Sequence, residues 1–287
     1  MITNSRNRKA SSQKAMLHRS EYLDFSRSPC CPTPTVSRYF RYKKFLDRII
    51  ATLLLVPALP IIGMLVMLVR MTSKGPGIYS QVRVGRDGKF FTMYKIRSMV
   101  SDAEQDSGAV WATKHDPRVT RIGAILRKLH LDELPQLFNV IRGDMALVGP
   151  RPERPEFVSL LDREIDGYSN RLLVVPGVTG FAQLNLPSDE VIADVRRKIA
   201  LDFEYIERAS FLFDVRLVLA TIGRMFKGID MLPLKILGVQ RKIDDSPWAV
   251  HVGAISVEKQ KESSRNLGQL LERVNSERLE KIGASNR

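Results

Sequence analysis

Two adjacent carboxylates, Asp132 and Glu133 in the run His130-Leu131-Asp132-Glu133-Leu134-Pro135, are the residues of this sequence best placed to do chemistry. Pro135 can start a helix and Gly143 can end one, so a helix is expected over residues 133–141 with Asp132 at its N-terminus. An isolated Asp in that place is most simply a helix cap. The same helix end offers free N–H groups and the positive end of a dipole, which also suit a phosphate. Two arginines bracket the pair: Arg127 in Leu126-Arg127-Lys128, and Arg151 in Gly149-Pro150-Arg151-Pro152-Glu153. The flanking prolines stiffen the backbone at Arg151, so little entropy is lost in aiming its guanidinium fork at a phosphate. Any one such pair could equally be a surface ion pair of small energetic weight.

These residue types point to phosphoryl chemistry. A carboxylate attacks a pyrophosphate poorly unless cations neutralise the phosphate and hold the reacting groups in line. Arginines supply part of that neutralisation, and a divalent metal can supply the rest. Glu133, with no His or Cys cluster nearby, suits Mg2+, which accepts one or two carboxylates together with substrate phosphates. Asp144 in Arg142-Gly143-Asp144-Met145 either joins the site or caps a turn, and the sequence leaves both readings open. His130 and His115 read as structural residues.

The elements that must position these groups are mainly helical. Residues 78–85 and 90–94 form a β-hairpin pattern around an Asp87-Gly88 turn. Helices are expected at 101–104, 121–129, 133–141, 155–168, 191–207 and 213–226, punctuated by Gly and Pro. This gives one catalytic domain over residues 74–227. Beyond Gly228 the apolar density falls, and residues 228–287 read as a charged tail, partly helical or disordered. The chain has no Walker loop, GxGxxG fingerprint or CxxC pair.

With 287 residues, 44% of them hydrophobic, the chain can build one moderate core with peripheral segments. The balance of 45 Lys+Arg against 31 Asp+Glu, a net charge of +14, draws the protein to anionic partners: phospholipid headgroups, nucleic acid or phosphorylated substrates. Two adjacent cysteines, Cys30 and Cys31, exclude a disulfide framework and read as exposed thiols in a reducing compartment. Residues 1–40 read as a disordered basic arm without the apolar core of a secretory signal.

Residues 49–69 carry no charge and are long enough to cross a hydrocarbon core of roughly 30 Å. Pro57 and Pro60 fall near the middle, where each lacks an N–H and clashes with the preceding turn, so a break or kink is expected. Basic residues flank both ends: Arg38, Arg41, Lys43, Lys44 and Arg48 before, Arg70, Lys74, Arg83 and Arg86 after. Since both ends then prefer the cytoplasmic side, a re-entrant helix-break-helix over residues 41–73 fits better than a single crossing.

The sequence resembles the bacterial sugar transferases, the monotopic polyprenyl-phosphate phosphoglycosyl transferases. The resemblance is carried by Lys43-Lys44-Phe45-Leu46-Asp47, the Pro60-centred apolar run, Gly75-Pro76, Gln81-Val82-Arg83-Val84-Gly85 and Lys95-Ile96-Arg97-Ser98-Met99. It continues through Asp116-Pro117-Arg118-Val119-Thr120-Arg121, residues 126–139, Gly143-Asp144-Met145, residues 149–153 and Pro176-Gly177-Val178-Thr179-Gly180. It implies a monotopic protein with a cytosolic catalytic domain on the cytoplasmic face of the bacterial inner membrane. It implies that Asp132 is a nucleophile, that Glu133 with Asp132 holds Mg2+, and that Arg127, Arg151, Lys95 and Arg97 bind phosphate or substrate. The implied reaction is ping-pong. Asp132 attacks the β-phosphate of a UDP-sugar and releases UMP; polyprenyl (undecaprenyl) phosphate then takes the phosphosugar, beginning a polysaccharide or glycoconjugate. The implied partners are the UDP-sugar, the polyprenyl phosphate and anionic membrane lipids, with no nucleic acid and with homo-oligomerisation left open. The chain departs from the family pattern at the bend, where Leu59 stands in place of the usual Ser before Pro60, and Pro57 is an additional proline.

Three rivals make different demands. A basic nucleic-acid-binding protein fits the charge but gives no role to the apolar run. A membrane scaffold would keep its function without Asp132, and a metal-dependent phosphohydrolase would release free sugar phosphate without a lipid acceptor.

Overall fold

The computed structural model describes residues 31–101, 103, 116–187, 191–225 and 232–254. Its longest element is helix α1, Phe40–Thr72, 33 residues. The buried positions of α1 (Lys43, Asp47, Ala51, Ala58, Ile62, Leu65 and Val69) recur at helical spacing, so one stripe faces the domain. The other faces expose Leu53, Val56, Leu59, Met64 and Met67. Most of its apolar surface is exposed, so α1 is compatible with membrane anchoring.

Of the break or kink expected at Pro57 and Pro60, no break forms: both lie inside one uninterrupted helix. Both are exposed, so their rings lie off the stripe that packs on the domain, and Ala58, Ile62 and Leu65 keep their contacts beside them. Both ends of α1 are tied to the same domain. Near its start the Asp47 carboxylate accepts from Leu147 N at 3.2 Å. Just past its end Ser73 O accepts from Arg97 Nη2 at 2.8 Å.

The hairpin forms as the sequence indicates. Strand β1, Ile78–Val84, pairs antiparallel with β2, Phe90–Ile96, in register from Ile78 opposite Ile96 to Val84 opposite Phe90. Asp87 (φ 56°) and Gly88 (φ 77°) both take the left-handed conformation that this tight reversal needs. Helices α2, Arg121–Lys128, and α3, Gln136–Arg142, follow. The expected helix at 101–104 is a turn at Ser101 and Ala103, with residues 102 and 104 outside the described residues.

A second, parallel strand pair was not legible in the sequence: β3, Ala146–Val148, with β4, Gly177–Thr179. Three residues are too few to show a period of two. Gly149 and Gly177 let the two chains close, since a Cβ on Gly177 would sit 2.1 Å from Gly149 N.

Helix α4, Pro155–Glu164, short α5, Phe181–Asn185, α6, Ile192–Arg208, and α7, Phe211–Met225, complete the domain. The spine is α6, buried without interruption from Lys198 to Ile206. Its Val195, Ile199, Phe203 and Ile206 join one core cluster with Phe157, Leu161 and Tyr168 of α4 and the turn after it. Its Leu201 and Tyr205 join a second with Phe181, Leu217 and Ala220.

Part of the expected tail belongs to that core. Helix α8, Leu232–Ile236, buries Leu234, and Val239, Trp248, Ala249 and Val252 are buried after it. The Trp248 ring meets Phe203 edge-on at 5.2 Å, and its Nε1 donates to Glu207 at 3.0 Å. These apolar residues are too scattered to show periodicity, so only tertiary packing reveals them. Residues 255–287 lie outside the described residues. At the other end Cys31 is buried rather than exposed, packed in the α4–α6 core, and Ser37 N donates to Ile206 O at 3.1 Å. Residues 1–30 lie outside the described residues.

Asn139 joins α3 to the hairpin. Fully buried, it donates through Nδ2 to Thr92 O at 2.7 Å and accepts from Tyr94 N at 3.2 Å. Replacing Asn139 with Leu strands both backbone groups, and an unfolding midpoint in detergent should show a loss of about 2–4 kcal/mol. An unchanged midpoint would mean that α3 is held by its apolar contacts alone.

Candidate active site

Three segments converge on the acidic pair. Strand β2 ends in Lys95-Ile96, with Arg97 just past it. Helix α2, opened by Thr120 whose hydroxyl accepts from Gly123 N at 2.9 Å, carries Arg127 near its end. Gly123 allows α2 to press on the chain after β2, because a Cβ there would stand 1.9 Å from Ser98 O. His130 then takes the left-handed conformation (φ 52°), and Leu131–Glu133 form a single 3-10 turn before α3.

This corrects the expected placement of Asp132. The helix starts at Gln136 with Pro135 in the capping position, so Asp132 lies in the tight turn before the helix and does not cap it. Asp132 is 6% exposed and, among the described residues, makes no hydrogen bond or ion pair. A buried carboxylate without a partner is costly and is characteristic of a site kept ready for a ligand or reaction.

Glu133 is its opposite. Its Oε1 accepts from Lys95 Nζ at 2.7 Å and lies 3.5 Å from Arg151 Nη2. Burial opposes its charge, but Lys95 and Arg151 outweigh burial and hold its pKa at about 2. Asp132 is shifted the other way: burial pushes its pKa up and Glu133 adds to the rise, while Lys95 and Arg127 pull it down. Burial also lowers the pKa of Lys95, against the pull of Glu133. Two neighbouring carboxylates with pKa values driven apart are suited to different tasks.

Arg127 is oriented by a residue the sequence did not single out. Its Nε donates to Ser98 Oγ at 2.8 Å, while its terminal nitrogens make no hydrogen bond among the described residues. Asp132 is among the charges that act on its guanidinium. The fold thus gathers Asp132, Glu133, Lys95, Arg127 and Arg151.

Arg97 is not brought to this group. Its guanidinium donates to Ser73 O and Ser73 Oγ, both at 2.8 Å, to Ser101 Oγ at 2.9 Å and to Lys74 O. Burial alone perturbs it, with no acidic site residue acting on it. Its work is to clasp the turn that leaves α1. Asp144 instead faces Arg142 Nε at 3.3 Å, at the end of α3. His115 lies outside the described residues.

Arg151 reaches Glu133 from a loop whose carbonyls are engaged from Pro150 to Glu153. Pro150 O accepts from Gly177 N at 2.9 Å, and Glu153 O accepts from Val84 N at 3.0 Å. Between them Arg151 O accepts from Arg171 Nη2 at 3.0 Å, and Pro152 O from Arg83 Nη1 at 3.1 Å. Neither Arg171 nor the second role of Arg83 was legible from the sequence, because each acts on a backbone carbonyl and such partners leave no spacing signal.

Among the described residues no three His, Cys, Asp or Glu side chains gather as a cation cage. The donor set is two adjacent carboxylates, one without a partner and one with Oε1 engaged by cations. That fits an ion that keeps waters and takes its remaining ligands from substrate phosphates, as Mg2+ does.

Comparison with known proteins gives one consistent outcome. The bacterial sugar transferase family profile matches residues 38–228. A Bacillus subtilis protein named as a candidate undecaprenyl-phosphate N-acetylgalactosaminyl 1-phosphate transferase is 53% identical over 136 residues, 47% of this chain and 75% of that protein. The UDP-N-acetylgalactosamine-undecaprenyl-phosphate N-acetylgalactosaminephosphotransferase of Aeromonas hydrophila is 42% identical over 66% of this chain. The UDP-glucose:undecaprenyl-phosphate glucose-1-phosphate transferase of Escherichia coli is 38% identical over 70% of it. The chain spans 45% and 43% of the lengths of these last two relatives.

Proposed function

The chain belongs to the bacterial sugar transferase family, and on that premise we propose that it moves a sugar 1-phosphate from a UDP-sugar to undecaprenyl phosphate through a covalent intermediate on Asp132. The observation that carries this reading is the buried, unpartnered Asp132 carboxylate beside Lys95 and Arg127, with Glu133 separately neutralised. A Glu133 paired twice is a poor nucleophile, whereas Asp132 makes no hydrogen bond or ion pair among the described residues.

In the first step an Asp132 oxygen forms a bond to the β-phosphorus of the UDP-sugar. The bond from that phosphorus to the bridging oxygen breaks, and UMP leaves with the electron pair. In the second step a phosphate oxygen of undecaprenyl phosphate attacks the same phosphorus and Asp132 departs as a carboxylate. Arg127 and Arg151 bind phosphate oxygens and hold the groups in line, and Lys95 keeps Glu133 ionised and in place. Mg2+ held by Glu133 and Asp132 would neutralise further phosphate charge. Splitting the transfer in two lets one site receive a soluble and a lipid substrate in turn.

The apolar face of α1 lies in one leaflet of the inner membrane, with the domain on the cytoplasmic side. Support comes from the basic flanks at both ends of α1 and from the attachment of both ends to the same domain. The chain would then enter and leave by one side without the two-limbed break expected from the prolines.

The test is UMP release by the full chain in nanodiscs, with Mg2+, undecaprenyl phosphate and a panel including UDP-N-acetylgalactosamine and UDP-glucose. Without the lipid, UMP should appear as a burst of about one equivalent per enzyme, and the phosphosugar should be trapped on Asp132. Release of free sugar phosphate would favour hydrolysis instead. The nucleophile must be ionised, and burial raises the pKa of Asp132. In the metal-free protein Asp132 should therefore titrate above the ordinary Asp range, and added Mg2+ should draw that value down, while Glu133 remains charged to about pH 2. An Asp132 titration within the ordinary Asp range without Mg2+ would contradict that environment.

A further inference from the structure

We infer that Arg171, remote in sequence from the acidic pair, is a positioning residue that fixes Arg151 through its backbone carbonyl. Pro150 and Pro152 have no N–H, so this stretch cannot be fixed by an ordinary strand ladder. It is held by its carbonyls, and the carbonyl of Arg151 itself is held by Arg171 Nη2 at 3.0 Å.

What makes Arg171 an effective clamp is that it cannot move. It is 3% exposed. Its Nε donates to Asp202 Oδ2 at 3.0 Å, Nη2 lies 2.7 Å from the same oxygen, and Nη1 donates to the Tyr168 hydroxyl at 3.0 Å. The planar guanidinium therefore connects α6, the turn Tyr168–Leu173 and the Arg151 backbone in one fixed geometry. Beside it, Lys198 and Arg83 flank Glu153 at 3.8 and 3.6 Å, so the loop is also gripped two residues on. The chain of contact runs from Asp202 through Arg171 to Arg151, and from Arg151 to Glu133. A buried Arg–Asp pair serving only the core would have no reason to spend a donor on the backbone of a half-exposed site residue.

The proposal rests on the reading of Arg151 as a phosphate-binding group, and its test separates the two. Arg171→Lys keeps a cation opposite Asp202 but cannot also reach the Arg151 carbonyl. In hydrogen exchange on the full chain in nanodiscs, the amides of Gly177 and Val84, which donate to the Pro150 and Glu153 carbonyls, should exchange about tenfold faster in this variant, with α6 unchanged. That readout needs no substrate. In the UMP-release assay kcat/KM should fall about tenfold, Arg151→Ala should fall further, and the double variant should match Arg151→Ala alone. If Arg171→Lys does not fold, Arg171→Met with Asp202→Leu removes donor and buried charge together and should show the same pattern. Unchanged exchange at Gly177 and Val84, or losses that multiply in the double variant, would overturn the proposal. Faster exchange with no turnover by the wild type on any UDP-sugar would uphold the clamp and count against the proposed function alone.

Discussion

Asp132→Asn is expected to lower UMP release by about a thousandfold or more while leaving the protein as stable as the wild type or more so. The two effects have opposite signs for one reason. Asp132 is buried without a hydrogen bond or ion pair among the described residues, and its raised pKa means that folding disfavours its charge. At neutral pH the unfolded chain carries that charge freely, whereas the folded protein carries it against desolvation. Asparagine keeps the shape and removes the charge, so unfolding midpoints in the same detergent should hold or rise. A loss of stability matching the loss of activity would show that Asp132 holds the turn together. A fully active Asn variant would sink the covalent mechanism.

The largest expected effect on stability lies at the other end of the domain. Lys43 of α1 is 2% exposed and contacts Asp47 at 3.0 Å and Asp214 of α7. Asp214 also accepts from Tyr205 OH at 2.8 Å and Tyr39 OH at 3.1 Å, and Asp47 accepts from Leu147 N of β3. One ammonium thus neutralises two buried carboxylates that join the long helix to α7 and to the strand leading into the Arg151 loop. Lys43→Met leaves those charges without a counter-ion and should cost about 3–5 kcal/mol. For a domain of this size the midpoint should fall by roughly 6–20 °C. Adding Asp47→Asn and Asp214→Asn should recover much of the loss, because the penalty comes from unpaired charge and not from missing volume. A midpoint unchanged in Lys43→Met would mean that water reaches the cluster.

These two predictions concern residues of different legibility. Asp132, Glu133, Arg127 and Arg151 were legible because acid and base types cluster around proline and glycine signals within one short stretch. The hairpin was legible through Asp87-Gly88, whose left-handed pair is a local requirement. Lys43 was legible as a basic flank and as part of the Lys43-to-Asp47 stretch of the family pattern; that it lies buried between Asp47 and Asp214 depends on how α1 docks against α7. Arg97 shows the same limit from the other side, since its type and place beside Lys95 suit a phosphate, yet its fork is consumed by the turn after α1.

The sequence by itself determined the candidate residues for the chemistry, the mainly helical pattern with its hairpin, and the long apolar segment. Each of these follows from residue type and short-range spacing, which the chain carries locally. Tertiary structure decided which cations reach the acidic pair, that Asp132 stands alone while Glu133 is paired twice, and that Pro57 and Pro60 sit within one helix. It also decided that Trp248 and Cys31 complete the core and that Arg171 grips the Arg151 backbone. Those outcomes turn on contacts between segments far apart in sequence, where burial sets both the cost of a charge and the worth of its partner.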